Sequence, residues 1–281
     1  MNKNYLIENL EEWIMEQKYQ EYSNNTLKQY KANVQKFIDW LPGSDVPITK
    51  DTTIEYKKYL TNKSISVSSI NTWIVTINKY FRWLKRDDLT IKKLKVQQKS
   101  SNEEVLTIAD YKRLLRFSKR LGYDDLYLIM KVLAMTGIRI SGLKYFTVEN
   151  IESNYITANT KHKYNKIIIR QDLGRELRKY CRDNKIKSGY IFTAAKDSSK
   201  LKPNNTIWWQ MKKVAGASRV NKKKVHAHSF RHLFANMFLD EYPDNVTELA
   251  DILGHNSLET TRIYTKSSDS QKRSKLEKLK Y

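Results

Sequence analysis

The sequence predicts a mainly α fold with a small β-hairpin: an N-terminal helical bundle followed by a mixed α+β domain. Three observations carry that prediction. Apolar residues recur at three- and four-residue steps through most of the 281 residues, the period of amphipathic helices. One β-branched stretch, Lys166-Ile167-Ile168-Ile169-Arg170, interrupts that period in mid-chain. Periodicity also lapses over 92–104, KKLKVQQKSSNEE. That lapse divides the chain into a domain at 1–91, a linker at 92–104 and a second domain at 105–281, sizes usual for domains.

The first helix covers 4–19, with Leu6, Ile7, Leu10, Trp13 and Ile14 as its apolar stripe. Ser23 or Asn24 caps a second, Thr26 to Trp40, which turns Leu27, Tyr30, Val34, Phe37, Ile38 and Leu41 inward; Pro42-Gly43 ends it. A third spans Lys50 to Leu60 behind Thr49, with Ile54, Tyr56 and Leu60 inward. The fourth opens at Ser66 or Ser68 and runs to about Lys85 on Ile70, Trp73, Ile74, Ile77, Tyr80, Phe81 and Leu84. Four helices on short connections make a bundle. The linker holds no large apolar residue beyond Val96, and Val96 to Glu104 fully extended reaches roughly 30 Å.

The second domain opens at Thr107-Ile108-Ala109-Asp110, a helix-capping pattern. The run Leu126 to Met135 is apolar nearly all round, as a buried helix is. Gly137 stops it and leaves Arg139 where the next short helix begins. The hairpin pairs Asn154–Asn159 with Lys166–Arg170 across a polar turn, Lys161 to Asn165. Leu173 to Asn184 is helical, Lys196 to Lys202 a basic loop, and Asn205 to Val214 a helix with Trp208, Trp209 and Met211. Val225 to Thr265 then concentrates chemistry: His226, His228, Arg231, His232, His255 and Tyr264 fall within forty-one residues. Phe230, Leu233, Phe234, Met237 and Phe238 give this stretch a helical period. His228 and Arg231, three apart, share a face and can reach one ligand together. Gly254 ends a helix, Val246 to Leu253, as a left-handed cap. His255 follows it, and Ser257-Leu258-Glu259 opens a further helix. His228 and His232 are four apart but have no acidic or cysteine ligand close by, so no metal site is expected.

Lys plus Arg number 52 against 30 Asp plus Glu, a formal charge of +22. Such a surplus calls for a polyanion or an anionic membrane surface as partner. No apolar run reaches the roughly 18 residues of a spanning helix, and no signal-peptide pattern opens the sequence. Nucleic acid is therefore the expected partner, and a membrane is not. Cys181 is the only cysteine, which rules out an intrachain disulfide and suits a reducing, cytoplasmic location. There is no glycine-rich phosphate loop, zinc-knuckle spacing or internal repeat, and no cofactor is expected.

The joint pattern of HSFR at 228–231, LGH at 253–255 and a tyrosine nine residues later resembles the C-terminal box of the tyrosine recombinases, the phage-integrase and Xer-like family. Thr136-Gly137-Ile138-Arg139 is similar to that family's first arginine box. The family's catalytic lysine sits in the hairpin; Lys161, in Asn159-Thr160-Lys161-His162-Lys163, matches it best, and Lys163 is its rival. Where the family commonly has Glu three residues after the first arginine, this chain has Gly142, which weakens a supporting contact. Asn25 to Tyr30, with Phe37 and Trp40-Leu41, is similar to the family's core-binding domain.

The resemblance implies a simple two-domain recombinase that cuts and rejoins DNA through a 3′-phosphotyrosyl intermediate. Arg139, Arg231 and His255 would hold the phosphate, His228 would act as base, Lys161 as acid and Tyr264 as nucleophile. It implies a double-stranded recombination site with inverted half-sites, a homotetramer in the synaptic complex, and use in integration or resolution of a mobile element or replicon. An arm-binding domain ahead of Met1 is not expected. The tail Ser267–Tyr281, with Leu276 and Leu279, is expected either to dock on a neighbouring protomer or to fray. Two other readings share these residues: a type IB topoisomerase-like nicking and resealing enzyme, and a non-catalytic DNA-binding protein of the same fold.

Overall fold

A computed structural model describes residues 1–43, 46–95, 105–153, 155–160, 163–254, 261 and 277, with backbone alone at 159, 160 and 163–165. The chain forms two compact units, Met1–Lys99 and Ser100–Tyr281. The fold is mostly helical, with two short two-stranded antiparallel sheets among the described residues of the second unit. Among the described residues no helix is long and apolar enough to cross a membrane.

The first unit is built from α1 (Lys3–Tyr19), α2 (Asn24–Trp40), α3 (Lys50–Thr61) and α4 (Val67–Trp83). Each begins where a short polar side chain satisfies a free helix-start N–H: Asn2, Ser23, Thr49 and Ser66 accept from Tyr5, Thr26, Thr52 and Ser69. Their core holds Leu6, Trp13, Val34, Phe37, Ile74, Ile77, Tyr80 and Phe81, none with accessible surface. Ile7 and Ile54, expected inward, are exposed; each lies at the edge of its helix's apolar stripe. The loss of periodicity at Lys92 predicts a linker, yet Leu94 packs on this core. Asn71 and Asn78, seven apart on α4, each exchange two hydrogen bonds of 2.7–2.9 Å with the backbone of Leu94 and Ile91. Lys57 donates to the Lys92 carbonyl. Side-chain amides thus hold a chain segment that has no helical stripe of its own. The rest of the expected linker, 96–104, lies outside the described residues.

The second unit runs α5 (Ile108–Arg120), α6 (Asp124–Thr136), a 3-10 segment Ile140–Tyr145, β1 (Tyr155–Thr160), β2 (Lys163–Ile168), α7 (Gln171–Asp183), β3 (Thr193–Ala194), β4 (Asp197–Leu201), α8 (Asn204–Ala217), α9 (Ala227–Glu241) and α10 (Val246–Leu253). Thr107 and Asp110 form the expected capping box at α5. In the first hairpin Ile156, Ala158, Ile167 and Ile169 are buried while Tyr155 and Ile168 face out, the period-2 alternation of a one-sided sheet. Its register pairs Thr160 with Lys163. Lys163 to Asn165, expected in the turn, therefore belong to β2. Lys196–Lys202, expected as a basic loop, is mostly the second hairpin. Lys202 is buried there against the Asp125 carboxylate. A charge count cannot reveal such a pair, because its partner is 77 residues away.

Candidate active site

Helix α6 supplies the floor. Leu126, Ile129, Met130, Val132 and Leu133 are fully buried, so the helix is fixed in the core along its whole length. It ends at Gly137, whose φ of 65° is left-handed. A Cβ there would stand 2.6 Å from Phe234 Cδ1 and 2.7 Å from Leu253 Cδ2, so α6, α9 and α10 meet at a point that only glycine fits. Two residues on, Arg139 has extended backbone (φ −72°, ψ 154°) and an exposed side chain. It makes no ion pair among the described residues. Gly142 sits in the 3-10 segment, where a Cβ would come within 3.2 Å of Ile138. The position three residues after Arg139 is thus closely packed.

Helix α9 begins after His226, whose carbonyl accepts from Ser229 N–H at 2.9 Å. Phe230, Leu233 and Ala235 bind it to the core. Arg231 lies among them at 1% exposure. Its Nη1 donates to the Gly137 carbonyl at 2.7 Å and its Nη2 to the Leu253 carbonyl at 2.8 Å. Those carbonyls end α6 and α10, where helix dipoles concentrate negative charge. Gly254, at φ 62°, caps α10 directly after Leu253. One guanidinium therefore ties together two glycine-capped helix ends, and Arg139 lies two residues beyond the first of them.

His228 is on the solvent side of α9. Partial desolvation, then the charges of Arg231, His226 and Arg139, hold its imidazole below the ordinary value. Arg139, Arg231 and His228 thus form one electrostatic neighbourhood, with Arg139 at the surface, Arg231 beneath and the imidazole coupled to both. His232 packs edge-on against His228 at 4.7 Å between ring centres. Burial, with the charges of His228, His226 and Arg231, pushes it down to about 4. Despite three imidazoles so near one another, no group of three or more His, Cys, Asp or Glu among the described residues is arranged to hold a metal.

The sequence marks Arg139, His228 and Arg231 as candidates but does not show that Arg231 spans two helix ends. The signal was present in two helix-ending glycines, Gly137 and Gly254, each just ahead of a candidate residue. Lys161, His255 and Tyr264 lie outside the described residues, as does the helix expected from Ser257 apart from Thr261. Of Lys163, only the backbone at the start of β2 is described.

The sequence family described as Phage integrase family matches residues 104–271, and one described as Phage integrase, N-terminal SAM-like domain, matches residues 10–88. Tyrosine recombinase XerA of Pyrococcus furiosus is 28% identical over 265 residues, covering 92% of this chain and 88% of its own. The TnP I resolvase of Bacillus thuringiensis is 25% identical over 284 residues, covering 93% and 96%. A solved structure of a lambda integrase(75-356) dimer bound to a COC′ core site is similar at a TM-score of 0.77 and 16% identity, covering 96% of this chain and 98% of that one. XerH bound to its difH substrate in a pre-cleavage complex is similar at a TM-score of 0.69 and 15% identity, covering 91% and 80%. At those identities the structural likeness speaks for the fold alone.

Proposed function

The chain belongs to the phage integrase family, and from that premise we propose that it is a site-specific DNA recombinase of the tyrosine, Xer-like type. The observation that carries the reading is the Arg231 staple. It holds the turn before Arg139 and the turn before His255 to one helix, with His228 in the same field of charge.

The chemistry follows from what a phosphodiester needs. As an oxygen attacks phosphorus, negative charge gathers on the non-bridging oxygens. Arg139, exposed and always charged, meets them with a planar fork. Arg231 adds its charge from beneath, where exclusion of water lets the field act strongly. His255 contributes a further donor, and fixed donors of this kind are usually the largest catalytic contribution. Tyr264 is the nucleophile. Its phenol ionises only near pH 10 unaided, so His228, kept neutral by its lowered pKa, takes the proton. The Tyr264 oxygen bonds to phosphorus while the bond to the 5′ oxygen breaks. Lys161 protonates that departing oxygen as general acid, with Lys163 its rival two residues on. A 3′-phosphotyrosine and a free 5′ hydroxyl result. Reversal by the 5′ hydroxyl of another strand rejoins the DNA, and because the bond energy is kept in the tyrosyl link, no cofactor enters the scheme.

In this reading 1–91 is the core-binding domain, 105–281 the catalytic domain, and the DNA partner a pair of duplex sites with inverted half-sites held by a homotetramer. The solved structures of lambda integrase and XerH on their DNA sites support that partner class. The test is strand exchange between two duplexes that carry the sequence flanking the gene. Recombinant product with a four-way junction intermediate is expected. Relaxation of supercoiled DNA without any junction would assign a topoisomerase-like enzyme, and binding without cleavage a non-catalytic protein.

A further inference from the structure

Helix α5 and the turn after α8 enclose an open cleft of about 410 Å3. Arg113, Arg116 and Arg120 line it from α5 and Arg219 from the turn, with Phe117 and Ser218 between them. Among the described residues no acidic side chain lines it. The chain uses 38 lysines and only 14 arginines, so a cleft whose basic residues are four arginines and no lysine departs from its own habit. Arginine differs from lysine in its planar fork of donors and in its stacking on rings. Stacking is already in use here: the Arg116 and Arg120 guanidinium carbons stand 5.6 and 5.8 Å from the Phe117 ring centre, within cation–π range. That orients both forks.

All four arginines are exposed. Arg113 is ion-paired to Asp110; Arg116, Arg120 and Arg219 have no ion pair among the described residues. Positions 113, 116 and 120 stack along one face of a helix and span roughly 10 Å at the helical rise. One DNA strand presents on the order of three charges over such a length of duplex axis. The basic face also extends beyond the cleft, since Lys222 packs on Gly216 of α8 and the charge of Lys224 reaches Asp110. None of these residues is shared with the Arg139, His228 and Arg231 constellation.

We infer that this cleft grips successive phosphates of a DNA strand away from the reacting bond, adding affinity and orientation without taking part in the chemistry. The occupant rests on the recombinase reading. Closely repeated negative charge suits the exposed forks of Arg116, Arg120 and Arg219; the other polyanion, a carboxylate-rich protein segment, becomes an outcome of the test. The variant is Arg116→Gln with Arg120→Gln and Arg219→Gln in the full chain. Its control is Lys185→Gln with Lys187→Gln and Lys196→Gln, which removes the same charge from exposed positions of the same unit.

Binding to a random-sequence duplex is measured from about 50 to about 200 mM salt. The slope of log affinity against log salt is expected to fall by about 2–3 in the arginine variant, at about 0.9 per lost phosphate contact. The lysine control should lose less than half as much, and lysines at the same three arginine positions should restore part of the affinity. A slope unchanged in the arginine variant, with the wild type still binding, overturns the cleft and leaves the recombinase reading standing. Equal losses in variant and control reduce the effect to net charge and overturn it too. An unchanged duplex slope with lost binding of polyglutamate would assign the cleft to an acidic protein instead. A wild type that binds no duplex at all sinks both the cleft's occupant and the recombinase reading.

Discussion

Arg139 and Arg231 carry the same charge in opposite surroundings, and their lysine variants should separate accordingly. Arg139 is exposed, so Arg139→Lys should change stability by no more than about 0.5 kcal/mol, as surface substitutions do. Arg231 is buried and bridges two carbonyls. A lysine replaces the rigid two-nitrogen fork with a single ammonium that does not reproduce its geometry, and each buried carbonyl left without its donor costs about 1–3 kcal/mol. Arg231→Lys should therefore lose about 2–4 kcal/mol in urea unfolding while both variants lose DNA cleavage. Equal stability in the two would contradict the staple. The imidazoles give a second expectation. The unfolded chain takes up a proton on His232 near pH 6.5, whereas the folded chain does so only near 4. The stability linked to this group is complete above pH 6.5 and is lost as pH falls towards 4, because acid then favours the unfolded state. His232→Gln should flatten the fall in melting temperature over that window, and an unchanged slope would place the proton uptake elsewhere. His228 shifts in the same direction, so as a base it should keep cleavage active below pH 6.5. The resemblance picks out Arg139, His228 and Arg231 as a group. Which of them faces the core was not legible, because three-residue spacing fixes a shared face and not what that face is packed against.

Gly137 links the residue to the elements. Its positive φ and the 2.6 and 2.7 Å approaches of Phe234 and Leu253 leave two separate obstacles to a side chain. Gly137→Ala should cost about 1 kcal/mol for the left-handed backbone and about 1–3 kcal/mol more for overpacking. Combining it with Phe234→Leu should recover part of the second cost and none of the first, a difference read in paired denaturation curves. A fully neutral Gly137→Ala would mean that α6, α9 and α10 do not meet as described. Helix starts were the most legible elements, since Ser23, Thr49, Ser66 and Thr107 each announce a cap that the structure uses. Short strands were the least. The β3–β4 hairpin spans a few polar residues with no apolar alternation, and Lys202 joins it through a distant Asp125. The segment after Ile91 was missed for a similar reason. It is held by Asn71 and Asn78, polar residues on α4 whose backbone partners no periodicity reveals.

At the scale of the whole molecule, two compact units correspond to two family matches, residues 10–88 and 104–271, on a chain of net charge +22. The broad fold was legible because helical stripes are long and repeated, and the family because six residues stand in a fixed order across the second unit. Contacts made over long separations were not legible, and they decide how Arg231 is used. The central proposal remains chemical: Tyr264 attacks a phosphodiester that Arg139 holds and the buried charge of Arg231 supports from beneath. The measurement that tests it most directly compares wild type with Tyr264→Phe on a duplex carrying the recombination site. Binding is followed by gel shift and covalent attachment by denaturing electrophoresis. Wild type should yield a denaturation-resistant protein–DNA band; Tyr264→Phe should bind with near-normal affinity and yield none, since only the attacking oxygen is removed. A covalent band persisting in Tyr264→Phe would contradict the account and move the nucleophile elsewhere, with Tyr281 the next residue to replace.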